Sequence, residues 1–158
     1  RITSDTWVRS RGVASAWAIN ARAGDTLTIG GPRGSLVVPE DYAFQLYVCD
    51  ESGMPALRRR LEGLLKLNVR PQVRAVVTVA DAAWQDYFAH LGAFDIDWVT
   101  GHSEQAVADK LAAITVADED YFIWVTGEGA TVKSLVRPFE SERYDAQRVR
   151  AAAYWHKK

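Results

Sequence analysis

The sequence predicts a three-layer α/β fold, a parallel sheet of about five strands with helices on both faces, preceded by a short N-terminal β annex. Three observations carry this. From residue 40 onward, apolar runs of strand length alternate with segments of helical apolar spacing. Two of those runs, QLYVC at 45–49 and YFIWVT at 121–126, pass at once through small and acidic residues into an amphipathic helix. The third is a change of character near residue 40, where one strand-like run and a turn-rich loop give way to that alternation.

The elements follow in order. Asp25-Thr26-Leu27-Thr28-Ile29 alternates like a half-buried strand, and residues 30–35 (GGPRGS) form a turn-rich loop. Pro39-Glu40-Asp41 is a polar bridge, which places the boundary between a segment 1–39 and an α/β domain 40–158. After the strand at 45–49, Ser52 or Gly53 can cap a helix whose first turn suits Pro55. Leu57, Leu61, Leu64 and Leu65 make its apolar face, leaving Arg58, Arg59, Arg60 and Glu62 toward water. Residues 74–79 (RAVVTV) read as a buried strand, and Asp81-Ala82-Ala83 opens a short helix. Ile96-Asp97-Trp98-Val99 is a weaker strand, followed by helical spacing at Val107, Leu111 and Ile114. Residues 121–126 form the clearest strand, and Val132, Leu135, Val136 and Phe139 share one face of the next helix. Pro138 should end that helix early, and residues 148–155 close the sheet.

Composition narrows the function. The chain has 158 residues, 48% hydrophobic and 25% charged, enough for one globular core. A net charge of −1 gives no global attraction to nucleic acid or anionic membrane. Its one cysteine, Cys49, excludes an intramolecular disulfide framework and suits a reducing cytoplasm. No apolar run is long enough for a membrane span. His90, His102 and His156 are scattered without metal-ligand spacing, so no metal site is expected. There is no GxSxG elbow, and Cys49 in an apolar strand reads as a core thiol. The Asp50-Glu51 pair also suits a phosphorylatable receiver domain, which needs another aspartate ending the third strand; Val99-Thr100-Gly101 stands there instead.

Ligands of doubly wound sheets bind beyond the carboxyl ends of the strands. That places Asp50-Glu51-Ser52-Gly53 and Thr126-Gly127-Glu128-Gly129 at the expected site. The glycines of the second turn would let backbone approach a ligand, and the following helix offers free amides to an anion. Two carboxylates in the first turn are an oddity, since phosphate-binding loops mostly carry glycines there.

Five segments in one order, GVASAWA (12–18), AGDTLTIGGPRGS (23–35), DESGMPALRRRLE (50–62), WVTGEGATVKSLVR (124–137) and the terminal AYWHKK, resemble the siderophore-interacting protein family. The resemblance covers nearly the whole chain. It implies a flavin-dependent ferric-siderophore reductase, with the tail of a flavin-binding barrel at 1–39 and a ferredoxin-reductase-like NAD(P)H-binding domain at 40–158. Electrons would pass from NAD(P)H through FAD to chelated Fe(III), releasing Fe(II). The family's flavin-pyrophosphate loop falls on Gly12, Ala14, Ser15 and Trp17, with Val13 where the family has proline. Its arginine-tyrosine-threonine flavin motif is not in this chain, so a flavin-binding domain is an implied partner.

The resemblance assigns the nicotinamide nucleotide, NADH or NADPH, to Asp50, Glu51 and Ser52 on one turn and Thr126, Gly127 and Glu128 on the other. Glu51 and Glu128 would accept ribose hydroxyls. Trp155 or Tyr154 would cover the flavin ring. Lys133, Arg137, Lys157 and Lys158 would offer positive charge to an anionic ferric siderophore. No side chain is needed as a general acid or base. A different class stays open beside the reductase: a non-catalytic module that binds nucleotide, siderophore or a partner. Residues 27–29 with Trp7 or Trp17 should leave an apolar patch favouring self-association.

Overall fold

The computed structural model describes residues 13–28, 30 and 38–157. The chain divides into two compact units, Arg1–Pro39 and Glu40–Lys158. In the first, helix α1 spans Val13–Asn20, and Asn20 Nδ2 donates back to the Ala16 carbonyl at 2.7 Å. The strand expected at 25–29 is not formed over its described part: residues 25–28 are exposed and without regular structure. Alternation alone does not make a strand where no neighbouring strand pairs with it. Ile29 and Trp7 lie outside the described residues.

The second unit contains strands β1 (Phe44–Cys49), β2 (Gln72–Val79), β3 (Asp95–Thr100), β4 (Tyr121–Glu128) and β5 (Val149–Trp155). All pair in parallel in the order β3-β2-β1-β4-β5. Between them lie α2 (Met54–Leu64), a 3₁₀ segment Ala82–Leu91, α3 (Glu104–Ala112), and α4 (Gly129–Val136) followed by a 3₁₀ turn Arg137–Glu140. Central β1 is buried at every position, whereas edge strands β3 and β5 keep partly exposed residues. A doubly covered parallel strand has no face for polar residues, which is why QLYVC reads as a near-continuous apolar run.

Leu46, Val48, Val76, Ile123 and Val125 pack with Val107 of α3 and with Val132 and Leu135 of α4 in one apolar cluster. On α2, Leu57, Leu61 and Leu64 are buried and Met54 joins them, each apolar side chain contributing about 2 kcal/mol. Leu65, expected on that face, is instead exposed because the helix has ended. Arg60 does not face water as expected. Its Nε donates to Tyr47 Oη at 2.9 Å and its Nη2 to Gln45 Oε1 at 3.2 Å. Two polar side chains buried on central β1 supply the acceptors, and local periodicity does not reveal them. Arg58 pairs with Glu62 at 2.9 Å on the outer face. Pro138 sits in the first turn of the 3₁₀ segment that takes over where α4 stops.

Candidate functional site

The strand order reverses between β1 and β4, because the chain leaves β1 toward β2 and β3 and returns to the other side of β1. Crossovers of one hand then put α2 and the Ala82–Leu91 segment on one face and α3 and α4 on the other. The turns after β1 and β4 diverge from that point, where such sheets open a crevice. Both turns singled out in the sequence therefore meet at one place.

Their carboxylates are engaged with protein. Asp50 is 7% exposed, and its Oδ1 accepts from the Ser52 amide at 2.9 Å and from the Ser52 hydroxyl. Its Oδ2 accepts from the Glu128 amide at 3.1 Å and from the Trp155 indole N–H at 2.7 Å. Four donors thus meet four lone-pair directions. Glu51, 4% exposed, turns the other way: its Oε1 accepts from the Ala80 amide at 2.5 Å and lies 3.2 Å from His102 Nε2. The acidic pair is a two-way clamp, with Asp50 holding the ends of β4 and β5 and Glu51 holding those of β2 and β3.

Glu128 caps α4, its Oε2 accepting from the amides of Ala130 at 2.9 Å and Thr131 at 3.1 Å. Its Oε1 accepts from the Lys157 amide at 3.2 Å. The Thr131 amide above all, with those of Lys157 and Ala130, holds this carboxyl below its usual range. Asp81 and Ser103 cap the Ala82–Leu91 segment and α3 through the amides of Ala83 and Ala106. The amides expected to receive an anion at α4 are therefore already occupied by a side chain. Burial, then the charges of Asp50 and Glu51, push the Cys49 thiol well up, leaving it an inert core group.

The glycines also serve contacts within the chain. Gly127 has φ +145°, and a Cβ there would lie 2.8 Å from Asp50 Oδ2. A Cβ on Gly129 would lie 2.2 Å from the His156 ring, and one on Gly53 would lie 2.5 Å from Thr126 Cγ2. The sequence suggested room for a ligand; the room is taken by Asp50, His156 and Thr126.

Of the remaining expected residues, Thr126 donates its hydroxyl to the Ala152 carbonyl at 2.7 Å, and Lys157 follows β5 with an exposed side chain. Lys133 on α4 and Arg137, which opens the 3₁₀ turn after it, are both exposed. Arg137 lies roughly 12 Å along the helix axis from the start of α4, away from the carboxyl edge, so the expected cations among the described residues do not all converge there. Gly12 and Lys158 lie outside the described residues, as do the side chains of Ala14 and Ser15, whose backbone forms the first turn of α1. Trp17 is 39% exposed. His102 and His156 belong to this edge and were missed. The only local signal for His102 is the Gly101-His102 turn, where both residues have positive φ.

Among the described residues no group of three His, Cys, Asp or Glu could hold a metal, and no helix is long and apolar enough to cross a membrane. A cleft of about 440 Å³ opens between α3 and α4, beside Leu111, Leu135, Phe139 and Tyr144, but no residue of the two turns lines it.

Comparison with known proteins gives consistent matches. The family pattern described as siderophore-interacting protein matches residues 42–158, and that of the siderophore-interacting FAD-binding domain matches residues 4–36. The NADPH-dependent ferric-chelate reductase of Escherichia coli (strain K12) is 65% identical over 154 residues. That alignment takes in 98% of this chain and 60% of the relative, so the chain spans about three-fifths of the relative's length. A siderophore utilization protein from T. fusca superposes with a TM-score of 0.76 at 24% identity, over 95% of this chain and 58% of that one. A ferredoxin-NADP+ reductase from Plasmodium falciparum does so at 0.68 and 14%, over 90% and 65%. These two likenesses establish the ferredoxin-reductase-like fold.

Proposed function

The chain belongs to the siderophore-interacting protein family, and from that premise we propose that it is the nucleotide-binding part of a ferric-siderophore reductase using NADPH and FAD. The observation that carries this is the 65% identity, across nearly the whole chain, to a reductase named for NADPH and ferric chelate. Reduction to Fe(II) weakens hard-oxygen chelation and releases the iron. The nucleotide lies across the turns after β1 and β4.

Because Asp50 and Glu128 are engaged with protein donors, we assign direct nucleotide contacts to the flat Trp155 ring and the exposed Lys157 ammonium. Asp50, Glu51, Ser52, Thr126, Gly127 and Glu128 shape the crevice. On the flavin side, the family match over residues 4–36 supports assigning a diphosphate to Gly12, Ala14, Ser15 and Trp17. The first turn of α1 carries no acidic residue, unlike α3 with Glu104 or α4 with its Glu128 cap. Bound FAD supplies the chemistry between a hydride donor and a one-electron ferric acceptor. For an anionic ferric chelate, exposed Lys133 and Arg137 offer positive charge on one side of the domain. The portion of the relative's length that this chain does not span is the partner we assign to Trp17, Ile19 and Leu27, which are exposed in the first unit. In its absence the same residues favour self-association. We place the protein in the cytoplasm.

The test joins this chain to the portion of the Escherichia coli relative that it does not span, supplies FAD, and follows NADPH oxidation together with Fe(II) capture from a ferric chelate. Turnover dependent on both substrates is expected. NADPH binding without turnover, in a flavin-loaded protein, would overturn the reductase and leave a binding module.

A further inference from the structure

Asp50 ends β1 and Trp155 ends β5, and β4 runs between those strands. Two strand spacings separate them, about 9.6 Å, so the hydrogen bond between their side chains has to pass over the end of β4. It passes at Gly127, where any Cβ would strike the Asp50 carboxylate. A register shift in the β4–β5 ladder sets Trp155 opposite Glu128, bringing the indole to this edge. The Trp155 ring therefore spans the point where the strand order reverses, held at its N–H by a buried, charged acceptor.

We propose that Asp50 is a positioning residue: through its bond to the Trp155 indole it fixes a flat aromatic wall over the crevice and so sets how tightly a planar nucleotide base or nicotinamide ring is held. This rests on the nucleotide reading above. Asp50 itself makes no ligand contact, since its four acceptor directions are used. A freely rotating indole would lose rotamer entropy on stacking, whereas a fixed one has already lost it.

The test uses this chain and two variants that keep shape, Asp50→Asn and Trp155→Phe, with circular dichroism confirming each fold. In ¹⁵N–¹H spectra, the indole resonance that vanishes in Trp155→Phe identifies Trp155. Asp50→Asn is expected to move that resonance upfield and to speed its exchange with solvent; an unmoved, still protected indole overturns the inference whatever the nucleotide does. NADP+ titration supplies the second arm. Each variant is expected to weaken binding about tenfold, equivalent to about 1.4 kcal/mol, and the double variant no further than either. Additive losses, near a hundredfold, would mean that the two residues act separately and would overturn it. If Asp50→Asn unfolds, the unaltered chain still decides the question: a Trp155 indole N–H that exchanges with solvent as fast as that of exposed Trp17 overturns the inference. No NADP+ binding by the unaltered chain, with the indole resonance responding to Asp50→Asn as expected, would instead sink the nucleotide reading on which the positioning role rests.

Discussion

The indole N–H of Trp155 donates to Asp50 Oδ2 at 2.7 Å across 105 positions of sequence, passing over a glycine on the strand between them. The same oxygen receives the Glu128 amide, so one carboxylate joins the ends of three strands. Removing the glycine's freedom should therefore strike this junction before it strikes any ligand.

Gly127→Ala is expected to lower stability by about 1–3 kcal/mol, from the positive φ and the contact with Asp50 together, and Gly127→Val by more. Thermal unfolding measures it. A melting temperature unchanged within error would show that Asp50 and the β4 turn do not meet as described. Loss of nucleotide binding in Gly127→Val then reports the collapsed junction rather than a blocked ligand path.

Stability should fall in acid partly through Glu128. Its folded carboxyl lies below the ordinary value of 4.5, so its contribution is complete above that value and is lost as the pH falls through the lower folded one. Glu128→Gln, which can still accept from the α4 amides but does not titrate, should show a shallower decline below about pH 4.5. Urea midpoints at stepped pH compare the two; identical slopes would remove Glu128 from the acid response.

Arg60→Met should cost about 1–3 kcal/mol, because Tyr47 and Gln45 stay buried on β1 after losing a charged donor. Arg59→Met, on the exposed side of the same helix, should stay within about 0.5 kcal/mol. Equal effects from the two would show that the Arg60 network contributes nothing.

Trp17, Ile19 and Leu27 are 39%, 64% and 50% exposed. Sedimentation velocity of the isolated chain should show association that rises with concentration and recedes in Ile19→Lys. A concentration-independent monomer would argue that no flavin-binding portion normally covers these residues.

The sheet, its helices and the two turns of the site were legible because each depends on neighbours within a few residues. Apolar spacing, the Pro55 and Pro138 positions and the strand-to-helix passages are local, and the parallel order of a doubly wound sheet follows from their alternation. The strand expected at 25–29 fails over its described part for the complementary reason: a strand exists only with a partner, and periodicity names none.

The sequence by itself determined which turn residues would gather at the carboxyl edge: Asp50, Glu51, Ser52, Thr126, Gly127 and Glu128. The tertiary structure decided what they do there. Glu51 finds its amide 29 positions away and Asp50 finds Glu128 78 positions away, distances set by the order β3-β2-β1-β4-β5 rather than by local pattern. A buried carboxylate must take whatever donors that order brings within reach, since leaving it unpaired costs several kcal/mol. Strand order thus made the acidic pair a clamp and filled the glycine space with Asp50 and His156, and nothing within the two turns encodes either outcome.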